Sequence, residues 1–194
     1  GRNAEAERYA FEAMAHLPRG SDSWYRAATE AVLSCTPLGK RDEVAAVSLE
    51  MVELTKAGDV GRFALSALAQ VTTRLYIADH YDIAASIIEK VDQQIDRYSA
   101  DDPELLARIA EARAARALFG SGDLESLLEQ TTEAIVQFER AGDLRNACGV
   151  GGNLGFAHAA IGSYRDAKAI LLKAIERGER MGLGTVAGAY QNLG

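Results

Sequence analysis

The stretch that decides the fold is GGNLGFAHAAIGSYRDAKAILLKAIERGERMG, residues 151–182. Its second half spaces apolar residues four and three apart, as one face of a helix with 3.6 residues per turn requires. The residues predicted for this face are Tyr164, Ala167, Leu171 and Ala174. A Gly-Ser step at 162–163 separates this helix from an earlier one. The stretch therefore predicts two helices joined by a tight turn.

The same alternation of helix and turn recurs along the chain. The breaks between successive helix pairs lie 38, 43, 41 and 40 residues apart, with markers at Gly20, Gly58, Asp101, Gly142 and Gly182. A shorter break falls about halfway through each interval, and a fixed period of this size indicates a repeat protein. The three prolines stand at expected helix ends, and the alternation typical of strands is absent. The chain is predicted to be nearly all helix.

The repeat at 151–182 resembles the tetratricopeptide family of helix pairs. Leu154-Gly155 matches the Leu-Gly of the family pattern, and the second helix supplies its spaced small and large residues. Three positions depart from the pattern, where the family has Trp, Tyr and often Pro: Gly151, His158 and Glu179. The other repeats match more loosely. Their period of about 40 residues exceeds the 34 residues usual in the family. It resembles the longer-helix variety of the repeat found in kinesin light chains and in many bacterial signalling proteins.

The resemblance implies an all-α, right-handed solenoid of antiparallel helix pairs. It predicts a single repeat domain over residues 1–194, with complete units at about 20–58, 59–100, 101–142 and 143–182 and partial units at 1–19 and 183–194. Residues 192–194 repeat the Asn-Leu-Gly of residues 153–155, so we expect the sequence to be a fragment of a larger protein. Apolar residues near both ends, among them Tyr9 and Leu193, predict possible self-association.

Composition narrows the function classes. A net charge of −7 and a pI near 5.1 argue against nucleic-acid binding, because phosphate contacts require clustered Lys and Arg. Cys35 and Cys148 have no metal-ligand spacing and are predicted to be small buried residues of a reducing, cytoplasmic compartment. No uninterrupted apolar run is long enough for a membrane span.

No catalytic or cofactor motif stands out. GVGGNLG at 149–155 resembles a dinucleotide-binding loop, but no strand precedes it, and close helix packing is the favoured interpretation. A local hinge in this glycine run is a secondary hypothesis. His158 is predicted to be a packed, hydrogen-bonded core residue, and no metal motif accompanies it. We expect neither enzymatic activity nor a cofactor.

In the tetratricopeptide family, ligands bind a stripe along the first helices, on the concave side of the solenoid. The resemblance places ten residues on this stripe: Gln70, Thr73, Tyr76, Arg113, Arg116, Phe119, Asn153, Phe156, Gln191 and Asn192. Asn153 and Asn192 resemble the asparagines that hold an extended peptide in long tetratricopeptide arrays, since an amide both donates and accepts hydrogen bonds. Arg113 and Arg116 could hold a carboxylate or phosphate, or could be solvated.

The leading hypothesis is a module that binds a protein or peptide partner in this groove, without nucleic acid. The alternative is an intramolecular regulatory or sensor arm of a bacterial signalling enzyme, such as a serine/threonine kinase or regulatory ATPase. A kinase or ATPase domain elsewhere in the parent protein would favour the second interpretation.

Overall fold

A computed structural model describes residues 1–55, 60–98, 102–184 and 186–194 of the chain, apart from the side chain of Val186. Within these ranges the regular structure is helical throughout, which confirms the all-α prediction. The α-helices are α1 Arg2–His16, α2 Asp22–Cys35, α3 Arg41–Leu54, α4 Arg62–Ile77, α5 Tyr81–Gln94, α6 Pro103–Ala115, α7 Leu124–Arg140, α8 Leu144–Ala160, α9 Tyr164–Arg180 and α10 Val186–Leu193. The break markers Gly58 and Asp101 lie outside the described residues.

The chain divides into two compact units, residues 1–99 and 100–194. The division falls within one residue of the boundary predicted between the units at 59–100 and 101–142. In each unit, helices adjacent in sequence pack on one another, and α2 also packs on α4, as α8 does on α10. The solenoid arrangement and the single repeat domain stay predictions.

The first unit contains α1 to α5. Ser21 caps α2, because its hydroxyl accepts a hydrogen bond from the Trp24 N–H at 3.2 Å. Trp24 is buried and meets Tyr25 edge to face, with 5.5 Å between ring centroids. In α5 one face of the helix is buried, at Ala84, Ile87, Ile88 and Val91.

The second unit contains α6 to α10. Its helices repeat at about half of the 40-residue period of the helix pairs. Helices α7, α8 and α9 each contain 17 residues, and three residues join α7 to α8 and α8 to α9. The middle residue of each join is a left-handed glycine, Gly142 or Gly162, and Gly182 follows α9 in the same way. The residue after each glycine donates its N–H to a carbonyl five positions back, which closes the helix end. Helix and turn together make a 20-residue module.

These left-handed turns give a first prediction. No atom lies within 4 Å of a Cβ added at Gly162, where φ is +82°, so Gly162→Ala isolates the backbone strain. We expect it to lower the unfolding free energy by about 1 kcal/mol, since the left-handed region is unfavourable for residues with a Cβ. Gly162→Asn should cost less, because Asn tolerates this region and the non-glycine Asp79 already occupies it at φ 60° in the α4–α5 turn. Urea unfolding measures both; equal losses for Ala and Asn would contradict the explanation.

The core of the second unit includes a tightly packed cluster from α6, α7 and α8. Phe138 of α7 is fully buried there among the small residues Ala107, Ala110, Ala134 and Ala147, with Val150 beside them. The Arg108 guanidinium lies over the Phe138 ring at 4.8 Å from its centroid. The same guanidinium contacts the carboxylates of Glu111 at 3.3 Å and Asp143 at 3.8 Å. A cation is thus held between an aromatic face and two anions.

The glycine run 149–155 lies within α8, and Gly151, Gly152 and Gly155 pack against neighbouring helices, as predicted, whereas Gly149 does not. A Cβ at Gly155 would lie 2.4 Å from Leu171 Cγ, and one at Gly151 would lie 3.3 Å from the Ala174 Cβ. Glycine therefore permits α8 to approach α9 closely. The predicted apolar face of α9 is confirmed at Ala167, Leu171 and Ala174 but is wrong at Tyr164, which is 71% exposed. Tyr164 is the first residue of α9, and α8 has already ended at Ala160.

Candidate functional site

The Asn192 side chain of α10 bonds to the backbone of α8 one residue before Asn153. Gly152 is buried and lacks a side chain, and a Cβ built on it would lie 3.7 Å from both the nitrogen and the Cβ of Ala189. This close approach lets the Asn192 Nδ2 donate a hydrogen bond to the Gly152 carbonyl oxygen at 3.2 Å. Asn153 directly follows Gly152 in the chain. Both asparagine side chains remain exposed.

Two more of the predicted residues extend this region, which we call the amide surface: Asn153, Phe156, Gln191 and Asn192. Phe156 follows Asn153 by three residues, so the two share a face of α8. It is 39% exposed, and Gln191 is exposed next to Asn192. After its bond to Gly152, the Asn192 amide still has its oxygen acceptor and its second N–H. The surface thus offers amide donors and acceptors beside an aromatic ring.

Arg113 lies in a different place, in a polar cleft of about 530 Å³ formed by α6, α7 and α8. Leu128, Glu129, Gln130, Thr132, Glu133 and His158 line the rest of the cleft. His158 is half-buried, and its Nδ1 has no hydrogen-bond partner among the described residues, so the predicted core hydrogen bond is wrong. The reason is its position, which faces this cleft rather than the Asn153 side of α8. Sequence reasoning missed the cleft because its acidic wall comes from a second helix, α7.

Arg116 and Phe119 occupy a π-helical turn, residues 116–121, that continues α6. Here the Asp123 N–H reaches six residues back to the Ala117 carbonyl at 2.9 Å, one residue farther than at the other helix ends of this unit. Phe119 in this turn is 44% exposed. Arg113, Arg116 and Phe119 each already make at least one contact within the protein. Turns of this kind often occur at functional sites.

The remaining predicted residues belong to the first unit, on α4. Gln70 and Thr73 are half-buried. Tyr76 is only 2% exposed and its ring lies 6.1 Å from that of Tyr81, so its predicted contact with a partner is wrong. Its position on the helix was mapped from Leu154, and that mapping does not reveal that α5 covers it. The structure thus brings together the predicted residues of α8 and α10 and assigns Tyr76 to the core.

The cysteines and acidic residues give no sign of a metal centre. Across residues 1–55, 60–98, 102–184 and 186–194, no three His, Cys, Asp or Glu side chains are grouped to hold an ion. Cys35 and Cys148 are buried, as predicted. Burial raises the pKa of the Cys35 thiol to about 11, with the Glu7 and Glu43 carboxylates adding to the effect. In those same residues, every helix is too short or too polar to cross a membrane.

No protein-family model matches the chain. The curated proteins likewise include none with significant sequence similarity to it. The tetratricopeptide resemblance therefore depends on the residues quoted above, and family membership stays a prediction.

Proposed function

We propose that this protein is a binding module that holds an extended peptide segment of a partner protein on the amide surface. The observation that supports this proposal is the Asn192–Gly152 hydrogen bond, which joins the helix that contains exposed Asn192 to the helix that contains exposed Asn153. A peptide backbone presents alternating N–H and C=O groups, and amide side chains can pair with both whatever the peptide's sequence. Phe156 adds an apolar contact for a side chain of the peptide.

The chemistry of the surface favours binding over reaction. Its polar groups are carboxamides, which neither donate a proton to a substrate nor act as a base near neutral pH. Its rigidity comes from helix packing, because the Gly152–Ala189 approach fixes where the Asn192 side chain begins. Preorganised side chains lose less conformational entropy when a partner binds.

We test the proposal with peptides selected from an unbiased displayed library against the whole chain. A selected peptide should shift the side-chain NH₂ resonances of Asn153 and Asn192 in NMR spectra. Asn146 provides an internal control, since its Nδ2 already donates to the Asp143 carboxylate at 2.5 Å in the same helix. Its resonance should stay in place.

A matched pair of variants measures the contribution of the surface. Asn153→Ala should weaken peptide binding about fivefold or more, as expected for a lost hydrogen bond of about 1 kcal/mol. Gln93→Ala deletes an exposed amide of α5, in the first unit, and should leave the affinity for the peptide unchanged. Peptides that bind while the Asn153 and Asn192 resonances stay unmoved would reject the amide surface as the site.

A further inference from the structure

A second, smaller pocket lies between α7, α8 and α9. It has a volume of about 160 Å³. Its apolar walls are formed by Ile135, Ala147, Gly151, Leu154, Ile170 and Ala174. The space exists because small residues stand where α8 meets α9. A space of this volume is large enough for a benzene-sized molecule.

The wall of the pocket also contains a thiol that is already satisfied. The Cys148 S–H donates to the Ala174 carbonyl oxygen, with 3.0 Å between sulfur and oxygen. Burial raises the pKa of this thiol, while the nearby Arg177 lowers it. Cys148 therefore offers a neutral surface to a ligand rather than a charged one.

The mouth of the pocket has a net positive charge. Three charged residues line it: Glu139 and Lys173, which are exposed, and Arg177, which is half-buried. Arg177 pairs with Glu139 at 2.6 Å, which cancels both charges. In the part of the chain that the structure describes, Lys173 has no ion-pair partner. One ammonium group thus remains uncompensated next to an apolar cavity.

We propose that this pocket binds a small carboxylate whose apolar part is about the size of a benzene ring. The ring or branched chain fills the space between Ile135, Ile170 and Gly151, and the carboxylate lies at the Lys173 ammonium. Burial of the apolar part supplies most of the affinity, because it removes carbon surface from water. The exposed ion pair supplies selectivity for an anion over a neutral or cationic analogue.

Three ligands of nearly equal shape test both parts of the proposal: phenylacetate, phenylacetamide and phenethylamine. Each is titrated into the whole chain while the methyl resonances of Ile135 and Ile170 are followed by NMR. Ile87 and Ile88, buried in the first unit, are internal controls that should not shift. We expect phenylacetate to bind up to about fivefold tighter than phenylacetamide, the range of an exposed ion pair, and phenethylamine to bind most weakly.

Two variants separate charge from shape. Lys173→Gln should equalise the affinities of phenylacetate and phenylacetamide while leaving the second unchanged. Ile170→Trp should fill the pocket and abolish binding of all three, provided that circular dichroism shows a folded chain. Independently of any variant, phenylacetate should slow alkylation of Cys148 and leave that of Cys35 unaffected. Equal affinities in the wild type, unsaturable shifts at Ile135 and Ile170, or an unprotected Cys148 would overturn the proposal.

Discussion

Replacement of Gly155 by Ala is expected to lower the unfolding free energy by about 2 kcal/mol, although Ala is the better helix former. The added Cβ would lie 2.4 Å from Leu171 Cγ and 2.5 Å from Leu171 Cδ2. The Cγ is the branch point of the side chain, so rotation about its last bond does not relieve the clash. Leu171 is itself only 1% exposed and packs on Ala174, Ile175 and Ala189. Either α8 and α9 must separate or Leu171 must leave its position.

Gly149→Ala is the matched control for this substitution. Gly149 lies in the same helix, and an added Cβ would meet nothing within 4 Å. The substitution should raise the unfolding free energy by up to about 1 kcal/mol, the ordinary gain of Ala over Gly in a helix. Urea unfolding followed by circular dichroism measures both variants. If Gly155→Ala proved as stable as Gly149→Ala, close packing would not explain the glycine.

A double-mutant cycle identifies the partner of Gly155. Leu171→Ala alone should cost about 2–5 kcal/mol, because it leaves a cavity in a buried cluster. In the Gly155→Ala background the same change should cost less, since it also removes the clash. Additive losses would mean that the new methyl group meets some other atom first.

The second large effect is expected at Phe138. Phe138→Ala should lower the unfolding free energy by about 3–5 kcal/mol, because the ring is fully buried among alanines too small to fill the space. Val136→Ala is the matched control, at a position of α7 that is 45% exposed. It should change the unfolding free energy by no more than about 0.5 kcal/mol. Thermal and urea unfolding of the two variants provide the comparison.

The position of Arg108 over the ring adds a testable coupling. Arg108→Met keeps much of the apolar stem but removes the cation that lies 4.8 Å from the ring centroid. It should cost about 0.5–1 kcal/mol more in the wild type than in a Phe138→Leu background, which has no aromatic face. An equal cost in both backgrounds would assign the role of Arg108 to Glu111 and Asp143 alone.

Much of the fold followed from the sequence because its signals are local. Ser21 before α2 and the glycines at 142, 162 and 182 mark helix starts and ends through the residue's own backbone or side chain. The π-helical turn at 116–121 has no such signature, because its wider hydrogen bonding is a property of the backbone in its packed context. The predictions for two tyrosines were wrong for a similar reason. Tyr76 was expected on the binding stripe and is buried, whereas Tyr164 was expected on the buried face of α9 and is exposed. Helical spacing reveals which residues share a face, but not how far the neighbouring helix extends.

For the candidate site, too, the sequence predicted the local features but not those that depend on helix packing. The sequence repeat identified Asn153 and Asn192 as equivalent positions, and their exposure depends only on helix phase. The hydrogen bond between Asn192 and Gly152 could not be predicted, because it depends on the distance between α8 and α10. The sequence did not predict the cleft around His158 or the pocket around Cys148. Each is a space between helices, and its size depends on how those helices pack rather than on any local sequence motif.

The equal lengths of α7, α8 and α9 restrict how this part of the chain can change in length. α7 and α8, each with the turn that follows it, take 20 residues, and the predicted antiparallel pairing means that each such segment reverses the direction of the chain. Loss or gain of one such segment would invert every helix that follows, whereas loss or gain of two would restore both direction and phase. Insertions and deletions tolerated here should therefore come in steps of two helices, and a library of in-frame duplications would display that parity directly.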